Sequence, residues 1–153
     1  RTVPLFDDRL VPVCAPGLLE QSPIRTPEDL LHHQLLAVDW CSHQSGDFPG
    51  WNEWFRAAGV TITASPTQRQ YSLYSLALDR AIAGQGVMLA TYPVVADRLA
   101  SGVLVRPLGD EYTLASSFTY DLLLPASGTA PPAVQRFVDW LVAEAQSFRQ
   151  QVS

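Results

Sequence analysis

Serine side chains that could act as nucleophiles are spread along the chain. A nucleophilic serine on a sharp strand-to-helix turn needs a glycine two positions before it and another two positions after it. Ser72, Ser75, Ser116 and Ser117 all lack these glycines, and no Gly-x-Ser-x-Gly sequence occurs. We therefore expect no enzymatic activity. A triad assembled in space from distant residues keeps an acyl-transfer enzyme open as an alternative, which turnover of an ester or amide would support.

Gly84-Gln85-Gly86 offers backbone that a phosphate group could approach closely. A dinucleotide-binding loop, however, needs a strand, a glycine turn and then a helix, together with a third glycine. The predicted order here is helix, glycines and strand. We therefore interpret the glycines as a tight turn and expect no nucleotide cofactor.

Thiol and imidazole side chains occur close together at Cys41 and His43, with His32 and His33 a few residues earlier. A Cys-x-His sequence with adjacent histidines matches no standard spacing of metal ligands, so we expect no metal site. Cys14 and Cys41 are too few for a disulfide framework. We interpret each as a buried free thiol in a reducing compartment, which fits the cytoplasm.

Composition indicates a globular domain rather than a nucleic-acid-binding or membrane protein. The 153 residues carry a net charge of −5, and all ten basic residues are arginines placed singly along the chain. Without a basic cluster to contact phosphates, the chain alone should not bind nucleic acid. Its apolar runs are shorter than the roughly 18 residues that a membrane span needs, and no secretory signal opens the sequence.

Short apolar, β-branched runs alternate with helical patterns along most of the chain, which is typical of a parallel, doubly wound sheet. Thr26, followed by a proline and two acidic residues, predicts a helix N-cap. Near residue 118 a strand follows a strand, so the tail is expected to belong to another layer or lobe. Predicted strands cover residues 10–14, 35–38, 60–64, 87–90, 103–105 and 118–124, and predicted helices cover 26–33, 51–58, 72–83, 94–100 and a last segment from Pro131.

Several stretches, taken in order, resemble the effector-binding (substrate-binding) domains of LysR-type transcriptional regulators. The most specific of them has Asp79-Arg80-Ala81-Ile82-Ala83-Gly84-Gln85-Gly86 at its centre. The likeness is greatest to the glycine-cleavage activator subgroup and covers nearly the whole chain. The stretches are residues 4–16, 26–30, 51–59 and 76–90, joined by a strand at 102–105 and a helix at 132–144.

The resemblance implies a type 2 periplasmic-binding-protein-like α/β fold, in which two lobes joined by crossover strands hold a ligand between them. Residues 1–9 would form an interlobe crossover, and residues 10–110 the second lobe, with its Rossmann-like sheet and flanking helices. Residues 111–153 would supply the return crossover, strand and C-terminal helix of the first lobe. DNA would be bound only through a helix-turn-helix domain that precedes this sequence.

The function implied by the resemblance is regulatory. The chain would sense a small, carboxylate-type metabolite, without a cofactor, and so control DNA binding and transcription by a cytoplasmic regulator. An extracytoplasmic solute-binding protein of the same fold is the alternative, since fold alone does not settle function. A signal peptide encoded upstream would favour that alternative, and an upstream helix-turn-helix would favour the regulator.

Ligands of open α/β sheets lie beyond the carboxyl ends of the parallel strands, where helix N-termini favour an anion. Ser72 is expected to cap the next helix and to offer its hydroxyl to the ligand. Aromatic side chains at these ends would supply apolar walls with polar edges. The predicted ligand-binding residues are Trp40, Ser42, Gln70, Tyr71, Ser72, Thr91 and Tyr92.

Two further expectations follow from the resemblance. The strand at 10–14 would be an antiparallel crossover that runs away from the cleft, which makes Cys14 and Pro16 poor ligand candidates. Half of the cleft would be absent, so effector binding by this chain should be weak.

The last helix carries an apolar stripe whose packing surface would lie mainly in the missing half-lobe. The helix could fold back onto the lobe, stay disordered or pair with a second chain. Of these we expect pairing, which gives a dimer or larger homo-oligomer formed through this helix. The stripe consists of Val134, Phe137, Val138, Leu141, Val142, Ala145 and Phe148.

Overall fold

The computed structural model describes residues 1–39, 48–64, 66–126 and 130–152. The chain divides into two compact units. The larger unit comprises Arg9–Ser116, and the smaller unit combines Arg1–Asp8 with Ser117–Ser153. The assignment of residues 10–110 to a second lobe, and of the flanking segments to crossovers and a first lobe, stays a prediction.

The strands are β1 (Thr2–Val13), β2 (Leu35–Val38), β3 (Gln68–Tyr71), β4 (Val87–Thr91) and β5 (Leu114–Leu123). They form one open sheet in the order β3-β2-β4-β1-β5. β2 is parallel to both β3 and β4, whereas β1 is antiparallel to β4. The predicted α/β class is confirmed.

Helices connect the strands of the larger unit. They are α1 (Pro16–Gln21), α2 (Trp51–Ala57), α3 (Tyr74–Ile82) and α4 (Tyr92–Ala100), and the long helix α5 (Pro132–Gln151) follows β5. Short 3₁₀ helices occupy Pro27–His32 and Asp110–Tyr112. The first of these begins after Thr26, as the sequence predicted, although it has 3₁₀ rather than α geometry.

The sheet of the larger unit is buried on both faces, because neighbouring residues of β2 and β4 belong to different core clusters. Leu36 and Met88 pack with Ala77 and Ala81 of α3 in one cluster. Their neighbours in the strands, Leu35 and Val87, pack in the other cluster with the aromatic side chains of α2. In that second cluster the Nε1–H of Trp51 donates to the carbonyl oxygen of Leu36 at 3.0 Å, which holds α2 on the sheet.

Several elements differ from the sequence-based expectation. The strand expected at 60–64 does not form, and the third strand is the polar segment Gln68–Tyr71. The segment 103–105 contributes only an isolated bridge between Val105 and Cys14 instead of a strand. Pro16 and Gly17 end the first strand as expected but also begin helix α1, because proline at the first helical position has a suitable φ angle and no N–H to leave unpaired.

The turn between α3 and β4 depends on glycine, as the sequence indicated. Gly84 has a φ of 75°, in the left-handed region that glycine adopts without strain, and Gly86 has a φ of 157°. A Cβ atom on Gly86 would lie 2.5 Å from the carbonyl oxygen of Gln34 and 3.0 Å from the Leu36 side chain. Gly86 is therefore needed for the close approach of this turn to the start of β2.

In the smaller unit, one face of α5 packs within the unit itself. The Phe6 ring lies 4.8 Å from the Tyr120 ring and 5.3 Å from the Phe148 ring, measured between centroids. Val138 and Ala145 are each 4% exposed. Two residues of the apolar stripe are therefore covered within this chain, without a second copy. Phe137 and Trp140 remain more than half exposed, with their ring centroids 5.8 Å apart.

Within the described ranges, none of the helices combines the length and the apolar character that crossing a membrane requires.

Candidate functional site

The carboxyl ends of the three parallel strands lie side by side and form one edge of the sheet, the edge made by the strand ends. Val38 at the end of β2 is paired in register with Tyr71 at the end of β3. The backbone N–H of Asp39 extends this pairing by donating to the carbonyl oxygen of Tyr71 at 2.8 Å. On the other side of β2, β4 runs in the same direction and ends at Thr91. This edge brings the predicted segments 70–72 and 91–92 to the same end of the sheet.

Tyr71 and Gln70 differ in their surroundings. Tyr71 is half-buried and packs against the core cluster under α3 and α4, so its ring is held in place. Gln70 precedes Tyr71 on β3, the outermost strand of the sheet, and is exposed. Tyr71 therefore provides a fixed apolar wall, whereas Gln70 provides a polar group that is accessible to solvent.

Ser72 does not cap α3, and that part of the prediction is wrong. The N-cap position is Leu73, whose side chain is 58% exposed, and α3 begins at Tyr74. A capping hydroxyl must belong to the N-cap residue to reach the N–H groups of the first turn. Ser72 stands one residue too early for that. It is exposed between β3 and α3, and its predicted contact with a ligand stays a prediction.

Thr91 is hydrogen-bonded to Tyr74, which was not among the predicted ligand-binding residues. The backbone nitrogen and the Oγ1 atom of Thr91 each lie 3.2 Å from the hydroxyl oxygen of Tyr74. Thr91 itself is 3% exposed. Its backbone N–H donates to the phenol oxygen, and the two hydroxyls share a second hydrogen bond. The start of α3 is thereby tied to the end of β4.

Tyr92, the first residue of α4, is half-buried and packs on the same core cluster as Tyr71. The guanidinium carbon of Arg9 lies 4.4 Å from the centroid of its ring, and that of Arg106 lies 5.9 Å from it. Both distances are within the range of a cation–π interaction. Neither arginine was among the predicted ligand-binding residues.

The antiparallel direction of β1 was the signal that could have located Arg9. A strand that runs away from the site must begin beside it, and the register pairs Leu10 with Thr91. Arg9 therefore precedes the residue that faces the end of β4. Arg106 carried no comparable signal, because it follows an isolated bridge at Val105 and belongs to no strand.

The chemistry available at this edge is recognition of a small anionic or amphipathic molecule. Aromatic rings, exposed amide and hydroxyl groups, two guanidinium groups and the N-terminal end of α4 lie at or next to the ends of the strands. Trp40 and Ser42, the remaining predicted ligand-binding residues, lie outside the described residues.

Among the described residues, Cys14, His32 and His33 do not lie at this edge, since Cys14 follows the end of β1 and the two histidines precede β2. Cys14 is a fully buried free thiol that follows the far end of β1, as expected for a structural cysteine, and burial raises its pKa to about 11. Burial also lowers the pKa of His33. Across the described ranges there is no group of three or more His, Cys, Asp or Glu side chains that could hold a metal ion. Cys41 and His43 lie outside those ranges.

The fold is an open α/β sheet with flanking helices. The model of the LysR substrate binding domain matches residues 1–146. The chain therefore belongs to the LysR substrate-binding domain family, as the sequence resemblance predicted.

Relatives with curated names are transcriptional regulators. The chain is 33% identical over 144 residues to the uncharacterized HTH-type transcriptional regulator y4mQ of Sinorhizobium fredii, with 94% of this chain and 45% of the relative covered. It is 30% identical over 146 residues to the glycine cleavage system transcriptional activator of Escherichia coli, with 95% and 45% covered. The chain thus spans about 45% of the length of these relatives.

Among solved structures, the effector domain of the transcriptional regulator AmpR of Pseudomonas aeruginosa matches with a TM-score of 0.74 and 27% identity. The match covers all of this chain and 69% of that one. These relatives favour a regulator over a solute-binding protein of the same fold.

Proposed function

We propose that this chain is the effector-sensing part of a LysR-type transcriptional regulator and that it binds a small, carboxylate-type metabolite at the carboxyl ends of β2, β3 and β4. The observation that carries the proposal is the convergence of segments 70–72 and 91–92 at one edge of the sheet, beside Arg9. The positive end of the α4 dipole and a nearby guanidinium both favour an anion over a neutral ligand.

Binding, rather than catalysis, is the proposed activity. The named relatives are transcriptional regulators, and the Thr91 hydroxyl at this edge is buried and bonded to Tyr74, so it is poorly placed to attack a substrate. DNA would be contacted by another part of the full-length regulator, since the ten arginines of this chain are scattered and its net charge is −5. The proposed compartment is the cytoplasm, where a transcriptional regulator meets DNA.

The proposed partner in solution is a second copy of the chain. The exposed rings of Phe137 and Trp140 on α5 form an apolar patch within the smaller unit. Burial of such side chains is worth roughly 1.5–3 kcal/mol each, which favours association.

Chemical-shift mapping tests the ligand site. The ¹⁵N-labelled 153-residue chain would be titrated with a panel of small carboxylates and, in parallel, with their neutral amides at constant ionic strength. We expect saturable changes at Gln70–Tyr71, Ser72 and Thr91–Tyr92 with carboxylates, and none with the amides. Saturable changes confined to the stretch around Cys14 and Pro16, at the far end of β1, would contradict the proposed site.

A gel-shift experiment tests the separation of sensing from DNA binding. The 153-residue chain should not retard duplex DNA in the presence of competitor DNA, because its arginines are placed singly along the sequence and its net charge is −5. Tight, sequence-specific retardation by this chain would show that DNA recognition is not confined to another part of the regulator.

A further inference from the structure

Tyr74 connects the two described segments of the candidate site. It is the first residue of α3 and follows segment 70–72 closely along the chain. Its phenol oxygen lies 3.2 Å from the backbone nitrogen and 3.2 Å from the Oγ1 atom of Thr91, the last residue of β4. One side chain therefore joins segment 70–72 to segment 91–92, which are distant in sequence.

The Tyr74 ring has a fixed position from which it can hold Thr91. It is half-buried and packs against the core cluster under α3 and α4. The rings of Tyr71 and Tyr92, one from each segment of the site, pack against the same cluster. A group can hold binding residues in place only if packing fixes its own position. Tyr74 meets this condition.

The Thr91 hydroxyl is used for this contact instead of for the helix that it precedes. Thr91 is the N-cap residue of α4, where a threonine hydroxyl commonly accepts a hydrogen bond from an N–H of the first helical turn. The structure describes the whole first turn of α4, and the Thr91 side chain forms no such cap bond with it. Because Thr91 is 3% exposed and bonded to Tyr74, its hydroxyl is placed to hold the backbone rather than to meet a ligand from solvent.

We propose that Tyr74 is a positioning residue of the effector site: its phenol holds Thr91, sets the separation of segments 70–72 and 91–92, and so controls affinity for the effector without contacting it. The proposal rests on the proposed function, since it assigns a role within the same site. A ligand that contacts both segments needs both in place at once, and a displacement of about 1 Å in a supporting group is enough to weaken a binding site.

The test uses sodium acetate as the probe and acetamide as its neutral counterpart, with ionic strength held constant by chloride. Acetate dissociation constants are measured for the 153-residue chain from the amide shifts of Tyr71 and Tyr92. In Tyr74→Phe we expect acetate to bind about fivefold more weakly, which corresponds to one hydrogen bond, and in Thr91→Val we expect a similar loss.

A double-variant cycle distinguishes positioning from two unrelated effects. If Tyr74 acts through Thr91, Tyr74→Phe combined with Thr91→Val should again weaken acetate binding about fivefold, whereas independent effects would multiply to about 25-fold. Thr91→Ser keeps the hydroxyl and should restore most of the affinity that Thr91→Val loses. The amide hydrogen of Thr91 donates to the phenol, so it should exchange faster with solvent in Tyr74→Phe.

Two control variants lie in the second core cluster of the larger unit. Tyr112→Phe removes a phenol hydroxyl from a half-buried tyrosine that packs against this cluster, and it should bind acetate like the parent chain. Val60→Ala opens a cavity in the same cluster and measures how far lower stability alone weakens binding. We expect no loss of acetate affinity in this variant.

The outcomes separate this proposal from the one on which it rests. If acetate causes no saturable shift at Tyr71 or Tyr92 in the parent chain, the proposed site is wrong, and the role of Tyr74 in it is wrong as well. If acetate binds there and Tyr74→Phe binds it equally well, the site stands and Tyr74 only stabilises the fold. Multiplied losses in the double variant, or a loss in Val60→Ala as large as that in Tyr74→Phe, would also overturn the positioning role. Unchanged amide shifts of β2 in the unliganded variants establish that they fold.

Discussion

The phenol oxygen of Tyr74 lies 3.2 Å from both the backbone nitrogen and the Oγ1 atom of Thr91, seventeen residues further along the chain. One side chain at the start of α3 thereby satisfies two polar groups at the end of β4. Because Thr91 is 3% exposed, water cannot readily replace the phenol. This pair of contacts holds the start of α3 at a fixed distance from the end of β4.

Tyr74→Phe should lower the free energy of unfolding by about 1–2 kcal/mol, since it leaves the Thr91 N–H and hydroxyl without this partner. Thr91→Val removes the threonine side of the link while keeping the volume close. We expect the double variant to lose less than the sum of the two single losses, by at least about 0.5 kcal/mol. Urea unfolding followed by circular dichroism measures all of these values. Strict additivity would show that the two hydroxyls do not stabilise each other.

Gly86→Ala should destabilise the chain by about 1–3 kcal/mol or more, because the new methyl group would meet a backbone carbonyl that cannot move away without disturbing β2. Gly17→Ala is the matched control. Gly17 lies in α1, and a Cβ atom there would have no neighbour within 4 Å. Alanine should therefore be neutral or slightly stabilising at that position. Similar midpoints of thermal unfolding for the two variants would contradict the proposed role of Gly86.

Asp29 should make the stability of the chain depend on pH in the acid range. Its Oδ2 atom accepts hydrogen bonds from the backbone N–H groups of Arg25 at 2.7 Å and Thr26 at 2.9 Å. These bonds lower the carboxyl pKa below its usual value of 3.8, with the bond from Arg25 contributing most. Because the folded-state pKa is depressed, the stabilisation is fully present above the unfolded-state pKa and is lost as pH falls through the folded-state pKa.

Asp29→Asn should accordingly unfold at a lower temperature than the parent chain at pH 7, and the two melting curves should converge as pH falls below 3.8. Glu28→Gln changes the net charge equally at the neighbouring position and serves as the control. If the difference in melting temperature between Asp29→Asn and the parent chain stays constant through the acid range, ionisation of this carboxylate is not its cause.

Phe137→Asp combined with Trp140→Asp should convert a self-associated chain to monomers, because each residue is more than half exposed within its own unit. Gln146→Asp combined with Gln150→Asp adds two negative charges at exposed positions of α5 outside the apolar stripe, and tests whether any charge on this helix has the same effect. Sedimentation velocity over a range of concentrations measures the species. A parent chain that sediments as a monomer at high concentration would refute association through this patch.

The predictability of each strand follows from how many of its faces are buried. β2 and β4 are covered on both sides, so they appear in the sequence as continuous apolar runs and were predicted within one residue. β3 is the outermost strand of the sheet and exposes Arg69 and Gln70, so its sequence is not a continuous apolar run. The apolar segment at 60–64 was predicted instead. Val60 there is buried as cover for the second core cluster without pairing to a strand.

The site was only partly predictable for a different reason. Segments 70–72 and 91–92 follow from the rule that ligands bind beyond the carboxyl ends of parallel strands. Arg9 and the hydroxyl of Tyr74 reach the same edge through register and helix orientation, which join residues far apart in sequence. The residue types alone do not indicate such pairings, so these contacts could be identified only in the three-dimensional structure.

The distribution of tryptophan between the two units has an experimental consequence. Trp51 and Trp54 are buried in the larger unit, whereas Trp140 is exposed in the smaller one. Buried indoles emit at shorter wavelengths than hydrated ones, so each unit carries its own intrinsic fluorophore. In a Trp40→Phe background, which removes the one tryptophan outside the described residues, the blue and red flanks of the emission band would report on different units. A single denaturant titration could then reveal whether the two units melt together or in succession.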